Sequence, residues 1–106
     1  MAKTWNFEEI SFTIIAFAGE AKGHAMGAIN AAKNGRFEEA ENLIEEAEKS
    51  ILTAEKTHMD IVSAEAGGEK ITFPILFIHA EDQLLTTQTI ILLAKEFIDV
   101  YKKIGK

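Results

Sequence analysis

Apolar residues recur every three or four positions along two long segments of this chain, and this spacing constrains the fold more than any other feature. An α-helix repeats every ~3.6 residues, so such a spacing places the side chains on one helical face. The recurring positions are Phe7, Ile10, Ile14, Phe17, Ala21, His24, Ala28 and Ala31, followed by Phe37, Ala40, Ile44, Ala47, Ile51, Ala54, His58 and Ile61. The pattern therefore predicts two long amphipathic helices, the second with a glutamate-rich face turned to solvent.

Caps and turns define where these helices begin and end. Asn6 is a good N-cap, and Asn34-Gly35 ends the first helix because glycine adopts the left-handed conformation easily. Gly67-Gly68 ends the second helix. Only two or three residues then separate the first two helices, which makes them antiparallel neighbours.

A third helix follows, with Thr72 as its predicted cap and Pro74 in its first turn, where the missing N–H of proline is tolerated. We predict helices over about residues 7–34, 37–66 and 73–103. The predicted fold is all-α, an antiparallel up-down-up bundle of three helices in a single domain spanning residues 1–106.

Composition excludes several classes of protein. Hydrophobic residues make up 47% of the 106-residue chain, which is too many for a disordered protein. The formal net charge of −6 disfavours nonspecific binding to nucleic acid or to anionic membranes. The absence of cysteine excludes disulfides and thiolate metal sites. No signal core and no run of ~20 apolar residues is present, so we expect a cytoplasmic protein without membrane insertion.

A histidine and a carboxylate lie one turn apart in the apolar third helix. His79, Asp82 and Thr86 fall on one face, and Thr89 continues the same polar seam. Polar groups in apolar surroundings are costly unless they have partners or a function. Ile90 to Leu93 are apolar on every side, so we expect the third helix to be buried on two faces and the seam to meet a subunit interface.

The run around His79 resembles the His-Ala-Gln-Asp-His-Leu-Met active-site segment of the lactose/cellobiose-type IIA components of the sugar phosphotransferase system. The matching positions are His79, Ala80, Asp82 and Leu84, and the departures are Glu81, Gln83 and Leu85. The similarity extends without gaps to Ala18-Gly19-Glu20-Ala21-Lys22, Ala31-Ala32-Lys33-Asn34-Gly35 and Glu65-Ala66-Gly67-Gly68-Glu69.

The resemblance implies an assembly and a chemistry. Members of that family are three-helix bundles that associate as homotrimers of nine helices. Asp82 matches the aspartate on the threefold axis, where three copies hold one divalent metal ion, Mg²⁺ in our expectation. His79 matches the histidine that accepts a phosphoryl group from HPr and passes it to the IIB component of a sugar permease. The implied activity is that of a phosphotransferase, with His79 as the sole phosphorylated residue.

The departures keep two other functions open. Glu81 stands where the family usually has glutamine, and an ionised carboxylate facing the phosphoryl group would repel it by about 3 kcal/mol at ~5 Å and an effective dielectric of ~20. The chain is then a catalytically altered or noncatalytic trimeric module of the same fold. A generic helix-bundle adaptor explains the fold but not the polar seam. The transported sugar is not predicted, because specificity belongs to the membrane and IIB components.

The remaining histidines are predicted to have structural roles. His24 and His58 lie on apolar faces without a paired carboxylate at ligand spacing, which disfavours a zinc site. His58 stands where relatives often have glutamine, and Gln83 replaces the second histidine of the motif. A compensating exchange between positions 58 and 83 is therefore conceivable.

Overall fold

The computed structural model describes residues 5–105, which form three long helices. These are α1 (Phe7–Lys33), α2 (Phe37–Ala66) and α3 (Ile75–Gly105). No strand occurs in this described range, so the predicted all-α, up-down-up bundle is confirmed. The bundle is elongated, 59 × 22 × 19 Å. None of the described helices is both long and apolar enough to cross a membrane.

Two left-handed glycines end the first two helices, as the sequence predicts. Gly35 has φ +80°, and the Arg36 N–H donates to the Ala31 carbonyl at 2.8 Å. Gly68 has φ +107°, and the Glu69 N–H donates to the Ala64 carbonyl at 3.1 Å. Such bonds satisfy the otherwise unpaired carbonyls of a last helical turn. The N-cap of α1 is also confirmed, because Asn6 Oδ1 accepts a hydrogen bond from the Glu9 N–H at 3.1 Å.

The start of α3 differs from the prediction. The helix begins at Ile75 rather than at Phe73, and Thr72 is not its cap. The Pro74 carbonyl accepts the first hydrogen bonds, from Phe77 N at 3.0 Å and Ile78 N at 3.2 Å. A residue before proline is disfavoured in the helical conformation, which explains why Phe73 stays outside the helix. At the other end α3 continues to Gly105, beyond the predicted residue 103.

Small residues bring the three helices close together. In α1 the fully buried positions include Ala18, Ala21, Ala25 and Ala28. The predicted face of α2 is confirmed by buried Ala40, Ile44, Ala47, Ile51, Ala54 and Ile61. The buried stripe of α3 consists of Phe77, Ala80, Leu84, Thr87, Ile91, Ala94 and Ile98, which alternate in steps of three and four. This stripe fixes which side of α3 faces the bundle.

An aromatic cluster holds the start of α3 in place. The Phe77 ring centroid lies 4.9 Å from that of Phe7 and 5.4 Å from that of Phe73. Trp5 lies beside Phe7, and its Nε1–H donates to Glu69 Oε2 at 2.7 Å. The cluster therefore anchors the segment immediately before His79.

Polar pairs join α2 and α3 along their outer edge. Glu48 pairs with Lys95 and Glu41 with Lys102. The hydrogen bond from Lys102 to Glu41 raises the pKa of this lysine, because the carboxylate favours the charged ammonium. These pairs are exposed to solvent, so each contributes little to stability.

Within residues 5–105 only one side of α3 is covered, so the expected burial of a second face requires another chain. α1 and α2 both pack against the same side of α3. The opposite side is open, with Leu85 49% exposed, Leu92 63% and Leu93 52%. No other part of residues 5–105 covers that apolar side.

Two glycine substitutions test the helix boundaries. Gly23 lies inside α1, is exposed, and has nothing within 4 Å of an added Cβ. Gly23→Ala should therefore raise the free energy of unfolding by about 0.5–1 kcal/mol, since alanine is the better helix former. Gly35→Ala, at φ +80°, should lower it by roughly 1 kcal/mol because a Cβ disfavours the left-handed conformation. Urea unfolding measures both changes in the free energy of unfolding. Changes of the same sign would contradict the helix boundaries.

Candidate functional site

His79 lies near the start of α3, on the side that faces away from the bundle. The flanking Phe77 and Ala80 are buried, whereas the His79 side chain is exposed. Its ring forms no hydrogen bond or ion pair with any of residues 5–105. An imidazole that is exposed and unengaged is available to react, unlike a histidine satisfied within a core.

The rest of the predicted polar seam is also on the outer side. Asp82, Thr86 and Thr89 are all exposed. Thr86 Oγ1 donates to the Asp82 carbonyl at 2.8 Å, and Thr89 Oγ1 donates to the Leu85 carbonyl at 3.4 Å. These hydroxyls are thus turned back onto their own helix. Neither ring nitrogen of His79 bonds to Asp82, and the Asp82 carboxylate has no partner within the described range.

A metal ion at Asp82 requires ligands from outside one chain. Among the described residues, no group of three or more His, Cys, Asp or Glu side chains could hold a metal ion. The exposed, unpartnered carboxylate nevertheless has the oxygen chemistry that Mg²⁺ prefers. The residues present therefore fit a shared site better than a site within one bundle.

Glu81 faces the opposite direction from His79. Two residues along a helix correspond to a rotation of about 200°, which turns Glu81 toward α2. There its Oε1 contacts His58 Nδ1, and the two side chains are only 19% and 22% exposed. The second oxygen, Oε2, is buried without a hydrogen-bond partner in the described part of the chain. The Glu81 charge is thus directed at His58 and away from the His79 imidazole.

The contact between His58 and Glu81 bears on what the sequence predicted for positions 58 and 83. His58 bonds to Glu81 and Gln83 accepts from Lys22, so no hydrogen bond joins positions 58 and 83 to support a compensating exchange between them. His58 is a partly buried interhelical partner of Glu81. His24 lies 4.0 Å from Glu20, one turn earlier on α1, at the limit of an ion pair. Neither histidine has the open, unengaged setting of His79.

Gln83 contacts Lys22 of α1, a residue to which the sequence alone assigned no role in the site. Its Oε1 accepts a hydrogen bond from Lys22 Nζ of α1 at 3.2 Å. Gln83 follows His79 by one helical turn, so both lie on neighbouring parts of the α3 surface. Lys22 belongs to one of the segments that resemble the phosphotransferase family, and that was the only available signal.

Known proteins share the sequence and the fold of this chain. The family described as "PTS system, Lactose/Cellobiose specific IIA subunit" matches residues 9–102. The lactose-specific EIIA component of Staphylococcus epidermidis is 42% identical over 94 residues, 89% of this chain and 90% of that protein. The crystal structure of the cellobiose-specific enzyme IIA from Bacillus anthracis has a TM-score of 0.88 at 37% identity, covering 97% of this chain and 94% of that one.

A more distant structure shares the fold. It is the IIA component of the N,N'-diacetylchitobiose system, solved in solution as a complex with HPr. It has a TM-score of 0.83 at 22% identity and covers 97% of this chain and 100% of that one. Together with the family match over residues 9–102, these similarities show that the chain belongs to the lactose/cellobiose-specific IIA family of the phosphotransferase system, the phosphoryl-carrying class of phosphotransferase components.

Proposed function

We propose that His79 accepts a phosphoryl group from HPr and passes it to the IIB component of a lactose/cellobiose-type permease. The observation that carries this proposal is the exposed, unengaged imidazole of His79 at the family's histidine position. The chitobiose IIA protein, which has the same fold, was solved bound to HPr, and this supports HPr as the donor. We expect a protein that exchanges phosphoryl groups with these partners to act in the cytoplasm.

The transfer needs little covalent chemistry from the protein. An unprotonated ring nitrogen of His79 forms a new P–N bond while the P–N bond to the donor histidine breaks. The electron pair of the broken bond returns to the donor ring. His79 gives up its ring proton to water and the donor ring takes one up, so no net proton is consumed. Positioning and electrostatic stabilisation then account for the rate.

The position of His79 in α3 favours the phosphorylated state. α3 begins at Ile75, so His79 lies just past its first turn. The positive end of the helix dipole is nearby and favours an anion by about 0.3–1 kcal/mol, less under salt. A phosphoryl group carries about −1.5 to −2 charge at neutral pH. The helix dipole therefore stabilises the phosphorylated state, but only modestly.

We also propose that three copies of the chain associate through the open side of α3. This side combines exposed Leu85 and Leu92 with the carboxylate of Asp82. A trimer would bury the apolar residues and bring three Asp82 carboxylates together. Three converging like charges are unfavourable without a cation, so one divalent ion, Mg²⁺, would be held by the three copies of Asp82.

The structure weakens the noncatalytic alternative. That alternative depended on Glu81 repelling a phosphoryl group, and Glu81 is directed at His58 instead. The relatives are specific for different sugars, lactose and cellobiose among them, so no sugar is assigned to this chain.

His79→Ala should abolish the uptake of acid-labile phosphate from phosphorylated HPr. Helicity should be retained, because the side chain is exposed and makes no described contact. His24→Ala, which alters another partly exposed histidine, is the matched control and should be labelled normally. Full labelling of His79→Ala would remove His79 from its proposed role.

Asp82→Leu should keep the trimer, or strengthen it, while eliminating the bound metal. The apolar side chain removes the repulsion between three carboxylates and adds to the buried apolar surface. Sedimentation equilibrium together with metal analysis measures both effects. A monomeric unmodified chain at micromolar concentration in the presence of magnesium would defeat the trimer proposal.

Glu81→Gln should change the transfer rate less than about twofold, because its charge lies on the far side of α3 from His79. It should lower the free energy of unfolding by about 1 kcal/mol through the weakened contact with His58. Stopped-flow kinetics measure the transfer rate, and urea unfolding measures the free energy of unfolding. A tenfold faster transfer would show that the carboxylate acts on the phosphoryl group after all.

A further inference from the structure

We propose that Lys22 binds the phosphoryl group on His79 and that Gln83 is the residue that positions Lys22. This inference rests on the proposed phosphorylation of His79. The contact that carries it is the hydrogen bond from Lys22 Nζ to Gln83 Oε1, at 3.2 Å between α1 and α3.

Helical geometry puts Gln83, the residue that holds this ammonium group, one turn from His79. Gln83 and His79 are four residues apart, so their Cβ atoms lie about 5–6 Å from each other. Side chains on a helix lean toward its N-terminus, so the Gln83 amide leans toward the turn that carries His79. Lys22 Nζ, bonded to that amide, is therefore held on the His79 side of α3.

The charge of Lys22 has no counterpart in the described part of the chain. Lys95 and Lys102 each pair with a glutamate of α2. Lys22 bonds only to a neutral amide oxygen and forms no ion pair with any of residues 5–105. It is also partly buried, so its position is more restricted than that of a free surface lysine. A fixed ammonium without a carboxylate partner is well suited to an anion that arrives later in the cycle.

The phosphoryl group supplies that anion. Lysine binds phosphate oxygens as a compact point charge with three rotatable donors. In a loose phosphoryl-transfer transition state the charge lies on the equatorial oxygens, where such a donor stabilises it. No bond to lysine forms and no proton moves through it. Gln83 keeps the ammonium near the site without neutralising it, which a carboxylate at position 83 would do.

The alternative is that the Lys22–Gln83 bond only ties α1 to α3. The two helices already pack through buried residues, and Thr87 Oγ1 lies 3.4 Å from the Ala18 carbonyl. Loss of one partly exposed hydrogen bond should then affect stability slightly and transfer not at all. The two roles therefore predict different kinetics.

The test compares Lys22→Gln, Lys22→Arg and Lys56→Gln in the full chain with two phosphodonors, phosphorylated HPr and phosphoramidate. Phosphoramidate is small and bypasses docking of the protein donor. Lys22→Gln should slow labelling of His79 about tenfold with both donors, in line with the loss of a charge-assisted hydrogen bond. Lys22→Arg should retain most of the rate. Lys56→Gln removes the same charge from an exposed position of α2 and should leave the rate unchanged.

Each result has a separate meaning. An unchanged rate in Lys22→Gln overturns the inference, and a decrease with HPr alone does so too, because it assigns Lys22 to docking. An unmodified chain that takes up no phosphate defeats the proposed function itself. If Lys22→Gln loses helicity by circular dichroism, Gln83→Ala decides. This variant keeps Lys22 but removes the hydrogen bond that positions it. Labelling of His79 should then slow about threefold with both donors, and an unchanged rate refutes the inference.

Discussion

The rotation of α3 about its own axis decides what each residue of the His79 motif can do. Phe77, Ala80, Leu84 and Thr87 are buried against the bundle and fix that rotation. The aromatic contacts of Phe77 secure the same rotation at the end nearest the site. A helix rotated by one residue, about 100°, would bury the imidazole of His79 or expose the core. The packing of apolar side chains thus determines the chemistry that the motif can perform.

With this rotation, neighbouring charges of the motif are separated in space. Glu81 turns inward and contacts His58 on α2, while His79 and Asp82 turn outward. Gln83 lies between these directions and reaches Lys22 on α1. A carboxylate two residues from the reactive histidine is therefore compatible with phosphorylation. The long Lys22 side chain brings positive charge from α1 to Gln83, and the sequence of α3 has no lysine or arginine near His79.

Local signals in the sequence predicted much of this structure, and tertiary packing decided the rest. The glycines at positions 35 and 68 ended helices because the left-handed conformation is inexpensive for glycine alone. α3 begins later than predicted because Pro74 disfavours the helical conformation at the preceding Phe73. The direction of Glu81 follows from helical geometry, but its contact with His58 depends on how closely α2 and α3 approach. Lys22 was missed because its partner lies 61 positions away in the sequence. The open side of α3 appeared in the sequence as a second buried face, since periodicity does not distinguish a neighbour within the chain from one in another copy.

We propose that the outward imidazole of His79 alone carries the phosphoryl group. The most direct measurement is mapping of the phosphate on the unmodified protein after incubation with HPr, its phosphorylating enzyme and phosphoenolpyruvate. Tandem mass spectrometry under alkaline conditions, which preserve phosphohistidine, locates the modified residue. We expect one phosphate per chain, on His79. Phosphate on His24 or His58, or on no histidine, would contradict it.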